Sequence, residues 1–342
     1  MFPVTNHIGQ IYEPFKTRFL EREITALADD EVLIKVRASA ICGSDLHIAR
    51  GLHPSVPLPA TIGHEFSGDV AAIGAGVTKS RVGQRVCVEP CIVCGKCDAC
   101  RRGDYNYCEN ISFTYRMGDG AMADYVVVKQ PYIYELPEGM SYAAGALIEP
   151  LAVSTHAVRR ADIRLGETVL IIGPGAIGLM TAAMCRRSGA SRVIVAGTSD
   201  ARLELALQVG ATDVVNSRTE DLDAAVLRLT DGKGVDKSFE CVGKNICLDQ
   251  AVTALKSGGI CTVVGIYEEP TVQFFIPRLV SKEICIQGAQ GYCRDFPIAI
   301  AAAQELPMEK FVTHTFPLSR LQQALDTALD RSKGSLKVIL EA

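Results

Sequence analysis

No surplus of positive charge marks this 342-residue chain: 35 Lys and Arg stand against 39 Asp and Glu, for a net charge of −4. The pI is near 5.9. Without a basic excess, neither nucleic acid nor an anionic membrane surface is an expected partner. The first residues, MFPVTNHIGQIYEPF, lack a basic segment followed by an apolar run, so no secretory signal is expected. Unbroken apolar runs are missing too. The window from Thr168 to Cys185 is long enough to raise a membrane span, but Gly173-Pro174-Gly175 splits it into strand, turn and helix. Fixed-period repeats and low-complexity tracts are absent. What is present is a globular composition, 48% apolar and 22% charged, at a length that suggests two domains.

Thirteen cysteines is a high count. A chain without a secretory signal is expected in the cytoplasm, where disulfides are rare. The cysteines are then metal ligands, redox groups or inert core thiols. Cys185, Cys241, Cys261 and Cys285 fall in apolar runs and read as buried thiols.

The first 150 or so residues carry short β-like runs with turn signals between them, among them EVLIKVRASAIC, GDVAAIGAGV and DYVVVK. After Ala161 the pattern changes. TVLIIG, RVIVAG, DVVN and VDKSFECVG alternate with helix-like segments, which implies parallel βαβ units with helices on both faces of a sheet. The expected boundaries lie near 152 and 288. Beyond them come a helical FPIAIAAAQ, a helix near LQQALDTAL and a last strand, LKVILEA.

Gly173-Pro174-Gly175-Ala176-Ile177-Gly178 is a GxGxxG loop that follows a strand and opens a helix. In that setting it is a dinucleotide fingerprint. The first glycine permits the turn, the second lets the backbone approach a pyrophosphate, and the third lets helix and strand pack closely. The helix N-terminus adds free N–H groups for the phosphates. The fingerprint also expects an acid about twenty residues on, at the end of the next strand. Gly197 stands there instead. Asp200 comes three residues late, with Thr198, Ser199 and Arg202 nearby. The missing acid removes a barrier to a 2′-phosphate, and Arg202 could assist one. This tilts toward NADP and leaves NAD open. Val242 and Gly265 are assigned to the same cofactor site.

From Cys91 to Cys108 the spacing is C-x2-C-x2-C-x2-C-x7-C. Closely spaced thiolates suit a structural zinc held in a closed tetrahedron by one loop. Cys94, Cys97, Cys100 and Cys108 make one set, and Cys91 could substitute at one end. A second constellation is dispersed: Cys42-Gly43-Ser44-Asp45-Leu46-His47, then Gly63-His64-Glu65, then Glu149-Pro150. A catalytic zinc needs about three protein ligands and an open position. Each of these residues alone reads blandly, as a core thiol, a satisfied histidine or a surface charge. Together, beside a nucleotide loop, they read as catalytic.

GHEFSGDVAAIGAGV, CGSDLH, CGKCDACRRGDYNYC, ALIEPLAV and IIGPGAIGL together resemble the zinc-dependent medium-chain alcohol dehydrogenase family, nearest its sorbitol-type polyol and threonine dehydrogenase branch. The resemblance spans essentially the whole chain. It implies an α/β fold with a GroES-like β-rich catalytic domain over residues 1–151 and 289–342 and a Rossmann domain over 152–288. It implies two zinc ions, one catalytic and one structural in the 91–108 loop, with NAD or NADP as cofactor. Cys42, His64 and Glu65 would hold the catalytic zinc, with Glu149 as a further ligand or a partner to its water. Cys94, Cys97, Cys100 and Cys108 would hold the structural zinc. Ser44 and His47 would relay a proton to solvent, and Asp45 would orient His64. The implied reaction is oxidation of a small-molecule alcohol, the relay taking the proton and the nicotinamide the hydride. A homodimer or homotetramer is also implied.

The chain departs from better-known members of that branch. In GAQGYCRDFP, Tyr292 matches a tyrosine of the polyol enzymes, but Gly291 replaces an arginine and Arg294 is out of phase. Ile48 stands where sorbitol-type enzymes tend to have tyrosine. These changes turn the expectation from sorbitol toward another polyol, a cyclitol, a sugar acid or a vicinal diol. Glu89-Pro90 occupies the place of a histidine of threonine dehydrogenases, which disfavours L-threonine. Two alternatives are kept: a threonine 3-dehydrogenase-like activity, and a non-catalytic zinc- and nucleotide-binding protein. His7, His53 and His314 are expected to be structural or surface residues in loops, and His156 a packing or capping residue at a helix start. Phe113 and Tyr115 are candidates for the substrate pocket.

Overall fold

The computed structural model describes residues 2–342 except 54–55, 114–117 and 270. Tyr115 therefore lies outside the described residues. The chain forms two compact units, residues 1–149 with 299–342, and residues 150–298.

The first unit is built on β-sheet. The strands Val4–Glu13 and Lys16–Ile24 form an antiparallel hairpin joined by Ala60–Thr61. A seven-stranded sheet runs in the order Val312–Pro317, Lys337–Glu341, Glu31–Ala40, Glu65–Ile73, Arg85–Val88 and Ile133–Glu135, with Tyr125–Lys129 also paired to Glu31–Ala40. Its centre follows from β-branched alternation. Val32, Ile34 and Val36 pack with Phe66, Val70 and Val126 in one cluster, while Leu33 faces a second cluster with Val127. Each such side chain, fully buried, contributes about 1.5–3 kcal/mol. The C-terminal strand returns to this sheet: Ile339 pairs antiparallel with Ala40.

The second unit is a six-stranded parallel sheet in the order Asp213–Asn216, Arg192–Gly197, Thr168–Ile172, Val235–Glu240, Leu255–Val263 and Cys285–Gly288. The strand order reverses between Thr168–Ile172 and Val235–Glu240, so the ligand crevice of this fold lies at their carboxyl ends. Helices Ala176–Arg187, Asp200–Val209, Leu222–Leu229 and Asn245–Thr253 make the crossovers. The third begins where Asp221 accepts a hydrogen bond from Ala224 N at 2.8 Å, an N-cap that satisfies one of the helix's open donors. Among the described residues no helix is long and apolar enough to cross a membrane.

Some local expectations are corrected. His7 and His314 sit on strands, Val4–Glu13 and Val312–Pro317, not in loops. His156 lies within the helix Ile148–Ala161, well past its start, and its Nδ1 is 2.9 Å from Asp295 Oδ2. Cys185 and Cys261 are buried, but Cys241 is only partly buried and Cys285 is exposed, because the strand Cys285–Gly288 is the edge of its sheet.

Candidate functional site

In the cysteine loop the Sγ atoms of Cys94, Cys97, Cys100 and Cys108 all lie within 4.8 Å of one another. Cys91 is buried and outside that group. Backbone N–H groups point at the sulfurs: Cys97 N lies 3.4 Å from Cys94 Sγ, and Cys94 N 3.3 Å from Cys108 Sγ. Backbone donors of Lys96 and Cys97 lower the Cys94 thiol to about 6, whereas burial and the neighbouring thiols push Cys100 up to about 12. Four sulfurs in one cluster cannot all ionise without a cation among them. The donor set, the spacing and the thiolate-stabilising amides fit a tetrahedral zinc.

The second group comprises Cys42, His64 and Glu65, whose ligand atoms also lie within 4.8 Å. Cys42 precedes the short helix Gly43–Ala49, and Asp45 in its first turn fixes it, Oδ2 accepting from Cys42 N at 2.9 Å. Asp45 is buried, and burial raises its pKa. Its Oδ1 is 3.8 Å from His64 Nδ1, so it acts on the imidazole by charge; its hydrogen bonds go to the backbone of Cys42 and Gly63. Burial alone would lower the His64 pKa. The Cys42 sulfur overrides this and raises it well above the ordinary value, helped by Asp45 and Glu149. Ser44 and His47 lie on the same helix, both half-buried. Glu149 is buried near the start of Ile148–Ala161. It is outside the three-ligand group, but its charge acts on His64 and Lys337.

Nothing in the local sequence pattern singles out Lys337 as a site residue. It is buried on the C-terminal strand, and its Nζ lies 2.5 Å from both carboxylate oxygens of Glu65. Glu65 is thus a fully buried half of an ion pair and no surface charge. Burial would lower the Lys337 pKa, but Glu65 and the Cys42 sulfur raise it above its usual value. His53 is half-buried, and burial with the charge of His47 lowers its pKa, so it lies within reach of this group and is not a remote surface residue. Phe113 is exposed, and Tyr292 is buried edge-on against Phe296 with ring centroids 5.1 Å apart.

The glycine loop has the shape a pyrophosphate needs. Gly173 has φ +103°, a left-handed conformation that favours glycine, and a Cβ there would meet Val242 Cγ2 at 2.5 Å. A Cβ on Gly178 would lie 1.9 Å from the backbone oxygen of Gly173, so helix and loop touch only because residue 178 is glycine. Gly175, the N-cap of Ala176–Arg187, faces open space, and no side chain caps the helix. Pro174, Ala176 and Ile177 complete the turn. Across the crevice Glu240, buried, accepts hydrogen bonds from Val242 N at 2.8 Å and Gly243 N at 2.9 Å. A Cβ on Gly265 would strike Glu240 Oε2 at 2.6 Å, which accounts for that glycine. Gly197 ends the strand Arg192–Gly197, followed by exposed Thr198 and half-buried Ser199; Arg202 lies in the next helix and has a contact of its own.

Comparison with known proteins agrees with this picture. Residues 28–138 match the alcohol dehydrogenase GroES-like domain, and residues 176–305 match the zinc-binding dehydrogenase family. The chain is 35% identical over 333 residues to the sorbitol dehydrogenase of Bacillus subtilis (strain 168), covering 95% of this chain and 94% of that protein. It is 34% identical over 330 residues to the D-arabitol-phosphate dehydrogenase of Enterococcus avium, covering 95% and 93%. A zinc-binding dehydrogenase of Sinorhizobium meliloti 1021, solved bound to NADP, superposes with a TM-score of 0.89 at 29% identity over 99% of this chain and 100% of that one. The chain belongs to the zinc-type medium-chain alcohol dehydrogenase family. It is an oxidoreductase acting on CH–OH groups, with zinc and a nicotinamide dinucleotide as cofactors.

Proposed function

We propose that the protein oxidises a secondary alcohol of a polyhydroxy compound, a polyol, sugar acid or related diol, by hydride transfer to NAD(P). The observation that carries this reading is the cluster of Cys42, His64 and Glu65 with Ser44 and His47 on the adjoining helix. A thiolate, an imidazole and a carboxylate suit a catalytic zinc, with Glu149 as a further ligand. Zinc supplies Lewis acidity to the substrate hydroxyl, and the nicotinamide accepts the hydride. The chain's own residues do the rest. Asp45 fixes Cys42 by its backbone, Lys337 pairs with Glu65 in a buried site, and Ser44 with His47 passes the substrate proton outward. Cys94, Cys97, Cys100 and Cys108 hold a second zinc that folds its own loop. The substrate class is supported by relatives named for sorbitol and arabitol phosphate.

A cytoplasmic homo-oligomer fits this reading. The edge strand Cys285–Gly288 offers unpaired backbone to a second copy.

The test is initial rates of nicotinamide reduction across sugar alcohols, inositols, diols, aldonates and L-threonine, with and without a zinc chelator. Chelator-sensitive turnover on a polyhydroxy compound is expected. Turnover confined to L-threonine, or none with zinc and cofactor both bound, would contradict the reading.

A further inference from the structure

The strand end that selects between the two nicotinamide dinucleotides is unusual here. A site for NAD places a carboxylate at the end of the second strand to bind the ribose hydroxyls. At Gly197 the structure leaves no room for one: a Cβ would lie 2.2 Å from Cδ and 2.4 Å from Cγ of Pro174. Pro174 is a ring inside the phosphate loop and cannot swing away as a flexible side chain would.

The neighbouring strand supplies what Gly197 lacks. Asp213–Asn216 pairs parallel with Arg192–Gly197, with Asn216 opposite Gly197. Ser217 N donates to Gly197 O at 2.9 Å, so the chain after Asn216 is held against this strand end. Arg218 comes next. Its backbone N donates to Asn216 Oδ1 at 3.0 Å, and its side chain is exposed. Among the described residues it pairs with no carboxylate. The two nearby acids are occupied: Glu220 accepts from Arg228, and Asp200 Oδ1 accepts from Asn216 Nδ2 at 2.6 Å. The hydroxyls of Thr198 and Ser199 lie on the same strand end. A guanidinium that pairs with no carboxylate among the described residues, carried on the chain held against a strand end that itself lacks a carboxylate, is chemistry suited to a phosphate monoester.

We propose that the protein takes NADP in preference to NAD, with Arg218 as the residue that binds the 2′-phosphate. The proposal rests on the dinucleotide reading of the Gly173–Gly178 loop. It differs from the sequence expectation in naming Arg218, brought in by strand pairing, in place of Arg202.

The experiment is equilibrium binding of NADPH and NADH to the zinc-loaded protein without substrate, followed by cofactor fluorescence, for the wild type, Arg218→Gln and Asp200→Asn. The wild type is expected to bind NADPH more tightly by about tenfold or more, the scale of one charge-assisted contact. Arg218→Gln is expected to weaken NADPH by about tenfold and NADH by less than about twofold. Asp200→Asn is expected to leave the preference in place. Tighter NADH binding in the wild type, lost in Asp200→Asn, would show that Asp200 turns to the ribose and would overturn the proposal while sparing the loop. Equal weakening of both cofactors by Arg218→Gln would also overturn it. Binding of neither cofactor to the wild type would overturn the loop reading itself.

Discussion

Lys337 is the residue that balances the buried charge of Glu65 in the proposed metal-ligand group. Glu65 is fully buried and paired with Lys337, 272 positions along the chain. Removing one half of a buried pair leaves an uncompensated charge, at a cost of about 3–5 kcal/mol. Lys337→Met is therefore expected to lower the unfolding free energy of the metal-stripped protein by that amount, measured by urea denaturation. With zinc bound the loss should be smaller, since a cation then faces Glu65. Equal losses with and without zinc would show that Glu65 does not face the metal. The pH dependence has a definite sign. The folded Lys337 pKa is raised, so the pair's contribution is fully present below the ordinary lysine range and is lost as pH rises through the folded value.

At the scale of elements, the turn after Val235–Glu240 is shaped by one carboxylate. Glu240 takes the Val242 and Gly243 amides, and that turn packs on Gly173 from one side and Gly265 from the other. Glu240→Ala leaves two N–H groups without their acceptor, a loss on the order of 1.5–3 kcal/mol for each charged hydrogen bond. Weaker binding of either dinucleotide, by about tenfold or more, is expected in a fluorescence titration. Glu240→Gln keeps an acceptor and should recover most of it. If both variants bind like wild type, the turn does not depend on Glu240.

These contacts also show where the sequence was legible. The alternation of strand and helix, the glycine loop and the cysteine spacing are local patterns, and each announced its element from within a few tens of residues. The C-terminal strand was legible as a strand, but nothing in LKVILEA says that its lysine meets Glu65. Asn216 faces Gly197, with Arg218 two residues further on, only because two parallel strands pair in one register. His156 and Asp295, 139 positions apart, form a buried pair that the helical pattern of STHAVRRA does not reveal. Periodicity reports which face is buried; it carries no information on which distant charge lies opposite.

On the scale of the whole molecule, the two proposed metal sites have different duties. Cys94, Cys97, Cys100 and Cys108 belong to one loop, and binding there is coupled to that loop's folding. Cys42 is the residue before a helix, and His64 and Glu65 stand at the start of a strand in a sheet whose core is apolar. Loss of a ligand should therefore have opposite consequences at the two places.

The most direct measurement is the zinc content per chain, by elemental analysis, of the wild type, Cys42→Ser and Cys97→Ser, alongside their thermal unfolding. Two zinc ions are expected in the wild type. One is expected in Cys42→Ser, with folding nearly intact and turnover abolished, and a destabilised protein in Cys97→Ser. A single zinc in the wild type, or equal unfolding of both variants, would contradict the two-site reading.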